Sequence, residues 1–108
     1  MKLSFPENRA IGFQPGFMRL LNLADQLVET SAKAKYSRTL ATCGIDSEFL
    51  TRLRVKVLQA TLNPMPEYAL LTDVAAMCLQ IQSTADSMSM TGRSKPSEIL
   101  ADFKISRN

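Results

Sequence analysis

Three cations recur at every second position in the stretch SEFLTRLRVK, where Arg52, Arg54 and Lys56 follow an acidic opening. Lysine and arginine side chains of this kind contact nucleic-acid phosphates. With the cations just upstream there are six, against two carboxylates, so residues 33–56 carry a net charge of +4. Such a concentration is typical of a phosphate-contacting surface, although a solvated helix face has the same composition. The predicted phosphate contacts are Lys33, Lys35, Arg38, Arg52, Arg54 and Lys56.

Catalytic and metal-binding side chains are scarce in this sequence. It has no histidine, which removes the commonest general base and the commonest zinc ligand. Its two cysteines, Cys43 and Cys78, cannot form a four-ligand zinc site alone, and its scattered glycines do not form a phosphate-binding loop. We therefore predict a binding protein with no catalytic residue, no metal and no cofactor.

Length and composition predict one small domain that a partner helps to stabilise. A chain of 108 residues without tryptophan builds a modest core, and such cores often depend on oligomerisation. The start MKLSFPENR contains a proline and charges that do not fit a signal peptide, and no apolar run reaches the ~20 residues that span a bilayer. We expect a cytoplasmic protein that does not contact the membrane, with its cysteines reduced.

Hydrophobic periodicity predicts an all-α fold, a compact bundle of three main helices. Prolines and glycines make residues 1–16 an irregular arm. From Phe17, apolar residues recur every three or four positions and predict a long first helix that ends at Gly44. Asp46 or Ser47 then caps a second helix. The predicted buried side of this second helix consists of Phe49, Leu50, Leu53, Val57 and Leu58.

The third predicted helix, residues 65–82, is apolar around most of its circumference. A helix of this kind must be covered on nearly all sides, either by the rest of the subunit or by a second copy. Its centre holds Cys78, which is either an inert buried thiol or lies beside its copy in a homodimer. The predicted dimer-interface residues are Tyr68, Leu71, Val74, Ala75 and Cys78.

The carboxy-terminal quarter of the chain is more polar. Serine, threonine and small residues at 83–96 predict a flexible linker, which sets the main helical domain at residues 17–82. Residues 97–108 contain a short amphipathic helix, and helices of this length are marginal in water. We expect this helix to be mobile until it docks a partner. The predicted partner-docking residues are Ile99, Leu100 and Phe103.

Two resemblances concern the region around Gly44. The segment from Thr39 to Leu53 resembles a helix-turn-helix, with Gly44 at the turn, Ile45 as the apolar plug after it, and Leu50 where the second helix packs. In that motif the second helix lies in the major groove of DNA.

The second resemblance covers about residues 20–81. A long amphipathic helix, the turn GIDSEF, a second helix, and an apolar helix that runs from ALL to a central cysteine are similar to FlhD, the small subunit of the flagellar master transcription activator. The resemblance implies an all-α homodimer that joins a larger, zinc-containing FlhC-like subunit, binds promoter DNA as that complex and recruits RNA polymerase. It also implies that Cys78 lies at the dimer interface and that Ile99, Leu100 and Phe103 help to engage the larger subunit.

A protein of another class has the same sequence features. A small helical chaperone or adaptor of a secretion or phage system binds another polypeptide through its apolar helix and tail, without nucleic acid. An exposed apolar groove with cations scattered around the surface would favour this alternative.

Overall fold

The computed structural model describes residues 15–63, 65–90 and 96–105, which form five α-helices. No strand occurs among these residues, so the all-α prediction is confirmed. The helices are α1 (Pro15–Ser31), α2 (Ala34–Thr42), α3 (Ser47–Leu62), α4 (Tyr68–Met90) and α5 (Pro96–Asp102). Pro15 and Gly16, predicted to belong to an irregular arm, already lie in α1, where proline suits the first turn. The rest of the predicted arm lies outside the described residues.

Helices α1, α3 and α4 pack against one another and form the predicted three-helix bundle. Each contributes a buried stripe at three- and four-residue spacings, so that Leu27 of α1, Leu53 of α3 and Ile81 of α4 are almost completely buried. The short helices α2 and α5 extend this core, since Tyr36 and Phe103 are among its largest buried side chains.

The predicted long first helix is divided in two between Ser31 and Ala34, without a glycine or proline at the break. In one continuous helix, Tyr36 would lie about a third of a turn and Leu40 nearly half a turn away from the buried stripe of α1. The extended backbone of Lys33 (ψ 142°) redirects the chain so that both side chains enter the core. Core packing therefore overrides local helix propensity at this point.

The turn after α2 has the geometry that the glycine predicts. Gly44 adopts φ 97°, its amide donates to the carbonyl of Ala41, and the amide of Ile45 donates to the carbonyl of Leu40. This pair of hydrogen bonds defines a Schellman motif, and Ile45 and Leu40, both buried, supply its apolar contact. Glycine is the residue that adopts this left-handed conformation at least cost.

Helix α3 begins and ends where the sequence predicts, but its buried side is narrower than predicted. The Asp46 carboxylate accepts a hydrogen bond from the amide of Phe49 at 2.9 Å, which confirms the N-cap. Asn63 follows the last helical residue. Leu58 was predicted to be buried, and this is wrong, because 56% of its surface is exposed.

Helix α4 is longer than predicted and replaces part of the predicted linker. It continues from Gln82 to Met90, so residues 83–90 are helical, while residues 91–95 lie outside the described residues. Ala85 and Met88 continue the buried stripe of Val74 and Cys78 at alternating spacings of three and four. Burial of this stripe outweighs the serine- and threonine-rich composition that favoured a linker.

Helix α5 packs on the chain's own core, which corrects the expectation of a mobile helix that waits for a partner. Ile99 and Phe103 are buried against the bundle, and Leu100 is half-buried. The ring of Phe103 meets the edge of the Tyr36 ring at a centroid distance of 5.0 Å. A helix too short to be stable alone is held here by packing. The last three residues, 106–108, lie outside the described residues.

Candidate functional site

The six cations predicted to contact phosphate do not form one surface. Lys33, Lys35 and Arg38 lie at or in α2, while Arg52, Arg54 and Lys56 lie along α3. Along α3 the side chains of Arg52 and Arg54 point about 200° apart, because successive residues of a helix are rotated by about 100°. Arg52 and Lys56, about 40° apart, flank a groove between α3 and α4, whereas Arg54 faces the opposite side.

Two of the six cations are engaged in ion pairs. The Lys35 ammonium lies 2.9 Å from a Glu98 oxygen and 3.6 Å from an Asp102 oxygen, so it joins α2 to α5. The Lys56 ammonium lies 3.3 Å from an Asp73 oxygen and joins α3 to α4. Exposed pairs such as these contribute little to stability, but they occupy charges that were predicted to face a ligand. The other four cations form no ion pair with any described residue.

Arg38 and Arg54 border two adjoining depressions of one groove. The groove lies between the end of α1, the helix α2 and the beginning of α3, and we call it the α1–α2–α3 groove. It has a main part of about 520 Å³ beside Arg38 and a smaller extension of about 190 Å³ beside Arg54. The two parts share Ala32, Ser47 and Leu50 as lining residues.

Polar and aliphatic residues are mixed in the wall of this groove. Asp46 lines it, but one of its carboxylate oxygens already caps α3 through the Phe49 amide. Ser31 also lines it, is 1% exposed, and its hydroxyl has no hydrogen-bond partner. The rest of the wall contains the hydroxyls of Ser37, Ser47 and Thr51 as well as aliphatic side chains, including Leu50. The groove therefore combines an apolar floor, two arginines and one unpaired hydroxyl.

A second polar cluster holds α5 against α2. The Tyr36 hydroxyl donates to an Asp102 carboxylate oxygen at 2.6 Å, and the Gln82 side-chain amide donates to the Phe103 carbonyl at 3.0 Å. Burial, followed by the hydrogen bond to Asp102, raises the pKa of Tyr36 to about 12. The same hydrogen bond lowers the pKa of Asp102, and the hydrogen bond to Glu98 raises the pKa of Lys35. We call Lys35, Tyr36, Glu98 and Asp102 the α2–α5 clasp.

The clasp predicts how α5 responds to pH. Tyrosine ionises near pH 10 when unfolded, while docked Tyr36 keeps its proton up to about pH 12. The folded state thus binds the proton more tightly, and stability should fall as the pH rises from about 10 to 12. The lowered pKa of Asp102 adds stability that is lost as the pH falls below about 4. Thermal melting followed by circular dichroism across the alkaline range measures the first effect.

The variant Tyr36→Phe is the control for the alkaline effect. It keeps the ring packed on Phe103 but removes the titrating hydroxyl. The stability of the variant should therefore fall less than that of the parent as the pH rises. Both proteins contain the same lysines. If the two proteins lose stability in parallel between about pH 10 and 12, the clasp does not control the docking of α5.

The residues predicted for a homodimer interface are divided between the core and the surface. Val74 and Cys78 are buried in the chain's own bundle, so they are not available to a second copy in this conformation. Leu71 and Ala75 are half-buried, and Tyr68 is 76% exposed. Packing inside one subunit thus covers one side of α4, which was the alternative left open by its apolar sequence.

An exposed apolar stripe lies on α3, where none was predicted. Val55, Leu58 and Leu62 recur at spacings of three and four on the side opposite the buried stripe, and Leu62 is 74% exposed. We call these three residues the α3 stripe. The signal was present in the sequence, since α3 carries apolar residues on two opposite sides, but periodicity alone did not indicate which side faces the core.

Groups of side chains suited to a metal ion are absent from the part of the chain that the structure describes. Within the same residues, no helix has the length and apolarity needed to cross a bilayer.

Comparisons with known proteins give no relative for this chain. No known protein family, no curated protein and no solved structure matches it.

Proposed function

We propose that this chain is a non-catalytic assembly subunit that binds polypeptides, in the first place a second copy of itself, through the α3 stripe. The observation that carries the proposal is the exposure of Val55, Leu58 and Leu62 on one side of a helix whose other side is already buried. Single exposed leucines are ordinary, but a contiguous apolar stripe usually marks an interaction surface.

Self-association suits this stripe because a helix surface with regular spacing can pack against its own copy about a two-fold axis. Each copy then covers the exposed leucines of the other. The modest size of the core also favours association of two copies. This keeps the homodimer expectation of the sequence and moves it from α4 to α3, since Val74 and Cys78 are already buried within one subunit.

The double variant Leu58→Gln/Leu62→Gln tests the proposal. Glutamine keeps the helix propensity close to that of leucine but removes apolar surface from both sides of a symmetric interface. We expect the dissociation constant of the dimer to rise by about 30-fold or more, measured by sedimentation velocity over a concentration series.

Met18→Gln/Leu79→Gln is the matched control, because it replaces two other exposed apolar residues, on α1 and α4. It should leave the dimer intact. A parent chain that is monomeric throughout the series, or a control that dissociates as strongly as the stripe variant, rejects the α3 stripe as the interface.

A second candidate function, favoured by the four unpaired cations, is that of an FlhD-like subunit in a transcription activator. In this version the dimer joins a larger zinc-binding subunit, contacts promoter DNA as part of that complex, and brings RNA polymerase to it. Lys33, Arg38, Arg52 and Arg54 are the cations that form no ion pair among the described residues, so they remain free for phosphate. Lys35 and Lys56 would first have to leave their carboxylates.

Two pairs of substitutions test the DNA-associated version. Arg38→Ala/Arg54→Ala removes the two cations beside the α1–α2–α3 groove, and Arg52→Ala/Lys56→Ala removes the two that flank the groove between α3 and α4. If one side contacts duplex DNA, only that pair should reduce the salt dependence of binding, by a slope of roughly 0.9 per lost phosphate contact. Fluorescence anisotropy with a labelled duplex at several salt concentrations measures the slope. Unchanged slopes for both pairs would exclude these four cations from DNA contact.

The adaptor alternative shares the polypeptide-binding surface but not the nucleic acid. Of its expected features, an exposed apolar groove and scattered cations, the divided basic residues fit the second, while the apolar surface on α3 is a stripe and not a groove. Co-purification distinguishes the two versions. A regulator subunit should bring down a cysteine-rich zinc protein and, with it, retard DNA, whereas an adaptor should bring down a client and leave DNA unbound.

A further inference from the structure

The α1–α2–α3 groove has a chemical character that the proposed function does not use. It is an open cleft, its main part of about 520 Å³ is in the size range of ligand pockets, about 300–1,000 Å³, and its floor is aliphatic, with Ile45 buried beneath it. A cleft of this shape accepts apolar side chains that project from another chain.

The charge around this floor is positive at two separated points. Arg38 borders the main part and Arg54 borders the extension, and both side chains are exposed without an ion pair among the described residues. A guanidinium fork binds a carboxylate through two parallel hydrogen bonds. Asp46, the acidic residue of the wall, repels a nearby ligand carboxylate. Ligand carboxylates are therefore expected at Arg38 and Arg54.

The unpaired hydroxyl of Ser31 is an independent indication of a ligand. Ser31 lines the main part of the groove, is 1% exposed, and has no hydrogen-bond partner for its hydroxyl. Buried hydroxyls in proteins nearly always have a partner, so one without a partner requires an explanation. A ligand carbonyl or carboxylate in the groove would accept the missing hydrogen bond after a small adjustment of the wall.

We propose that the α1–α2–α3 groove binds an acidic amphipathic segment of a partner polypeptide, with apolar side chains on Ala41 and Leu50 and carboxylates on Arg38 and Arg54. This site goes beyond the proposed function and does not include the α3 stripe. Charge complementarity determines the occupant. The chain's own residues 1–14 have Lys2 and Arg9 against Glu7, a net positive segment that the two arginines would repel.

Duplex DNA fits this groove less well than a peptide does. A phosphate backbone has no apolar groups to place on the aliphatic floor. Bound DNA would place charged phosphates against that floor and would give it no apolar contacts. Phosphate contacts also need no cleft, whereas anchoring of apolar side chains from a helix depends on one.

The test selects peptides from a random phage-displayed library on the full-length chain and measures the selected peptides by fluorescence anisotropy. We expect enriched sequences to combine leucine-like residues with aspartate or glutamate. The variant Arg38→Glu/Arg54→Glu should raise their dissociation constants by about 30-fold or more. The control Arg19→Glu/Arg52→Glu makes the same change in net charge at other exposed positions and should alter binding little.

Ser31→Ala supplies a second measurement. Removal of a buried hydroxyl without a partner should raise the melting temperature, because the folded state no longer contains an unsatisfied polar group. The same change should weaken peptide binding by roughly threefold to tenfold. A variant that is more stable and binds peptide equally well contradicts the role of Ser31 in the site.

Several results would overturn the groove proposal. The first is selection of peptides without acidic residues, and the second is an equal loss of peptide binding in both charge-reversal variants. The third is that no acidic peptide is selected while Arg38→Glu/Arg54→Glu loses binding to duplex DNA. Dissociation of the dimer by that variant would identify a second copy as the occupant instead. The stripe variant Leu58→Gln/Leu62→Gln should leave peptide binding unchanged, so failure of the groove and failure of the α3 stripe are observed separately.

Discussion

Phe103→Ala should lower the free energy of unfolding by about 3–5 kcal/mol, the range found when a fully buried phenylalanine is truncated. Phe103 is 0% exposed. Its ring and the Tyr36 ring pack in an edge-to-face arrangement with their centroids 5.0 Å apart. The loss is a large part of the stability of a small domain, about 5–15 kcal/mol. Chemical denaturation followed by circular dichroism measures it directly.

The effect of Phe103→Ala should extend beyond α5. Removal of the Phe103 ring leaves a cavity beside Tyr36 and weakens the hydrogen bond between the Tyr36 hydroxyl and Asp102. Amide hydrogen exchange should therefore accelerate in both α2 and α5.

Leu79→Ala is the control for this experiment, since 66% of Leu79 is exposed and it lies outside the α3 stripe. A surface substitution of this kind usually changes stability by no more than about 0.5 kcal/mol. If Phe103→Ala is as mild as Leu79→Ala, then α5 is not part of the core, and Ile99, Leu100 and Phe103 regain their predicted role in docking a partner.

The two thiols should differ in reactivity by about 100-fold or more. Cys43 is exposed in the turn after α2, whereas Cys78 is 2% exposed, and burial raises its pKa from 9.0 to about 11. The thiolate is the reactive form. Near neutral pH, the raised pKa of Cys78 alone lowers its thiolate fraction to about one hundredth of that of a thiol with the ordinary pKa. An aromatic disulfide reagent added to the native chain should label one thiol rapidly and the second only after denaturation.

Cys43→Ser identifies the fast thiol. This variant should show almost no rapid labelling, and any disulfide-linked dimer that the parent forms on oxidation should disappear with it. Rapid labelling of Cys78 in the native variant would mean that α4 opens readily, and it would restore the prediction that two copies of Cys78 meet at an interface.

The thiols also illustrate how far a sequence interpretation reaches. The spacing around Cys78 predicts a buried helix position, and the structure buries it. Whether the cover comes from the same chain or from a second copy depends on contacts between residues far apart in sequence. Here other helices of the same chain, which pack on α4, provide that cover.

The sequence by itself determined the features that depend on neighbouring residues. Gly44 ends α2 because a residue without a side chain adopts φ 97° at least cost, and Asp46 begins α3 because its carboxylate reaches the Phe49 amide. The apolar periods of α1, α3 and the first part of α4 are local in the same sense, and they were sufficient to predict three main helices and an all-α fold.

The tertiary structure alone decided which of several equivalent sides of these helices face the core. It placed Leu58 outside and Phe103 inside, continued α4 to Met90, and directed Arg52 and Arg54 to opposite sides of α3. The physical reason is that a helix with two apolar sides, or a short helix that is unstable alone, gains its position from burial against distant residues. Sequence spacing fixes the angle between side chains on one helix, but only packing of the helices fixes where that helix points.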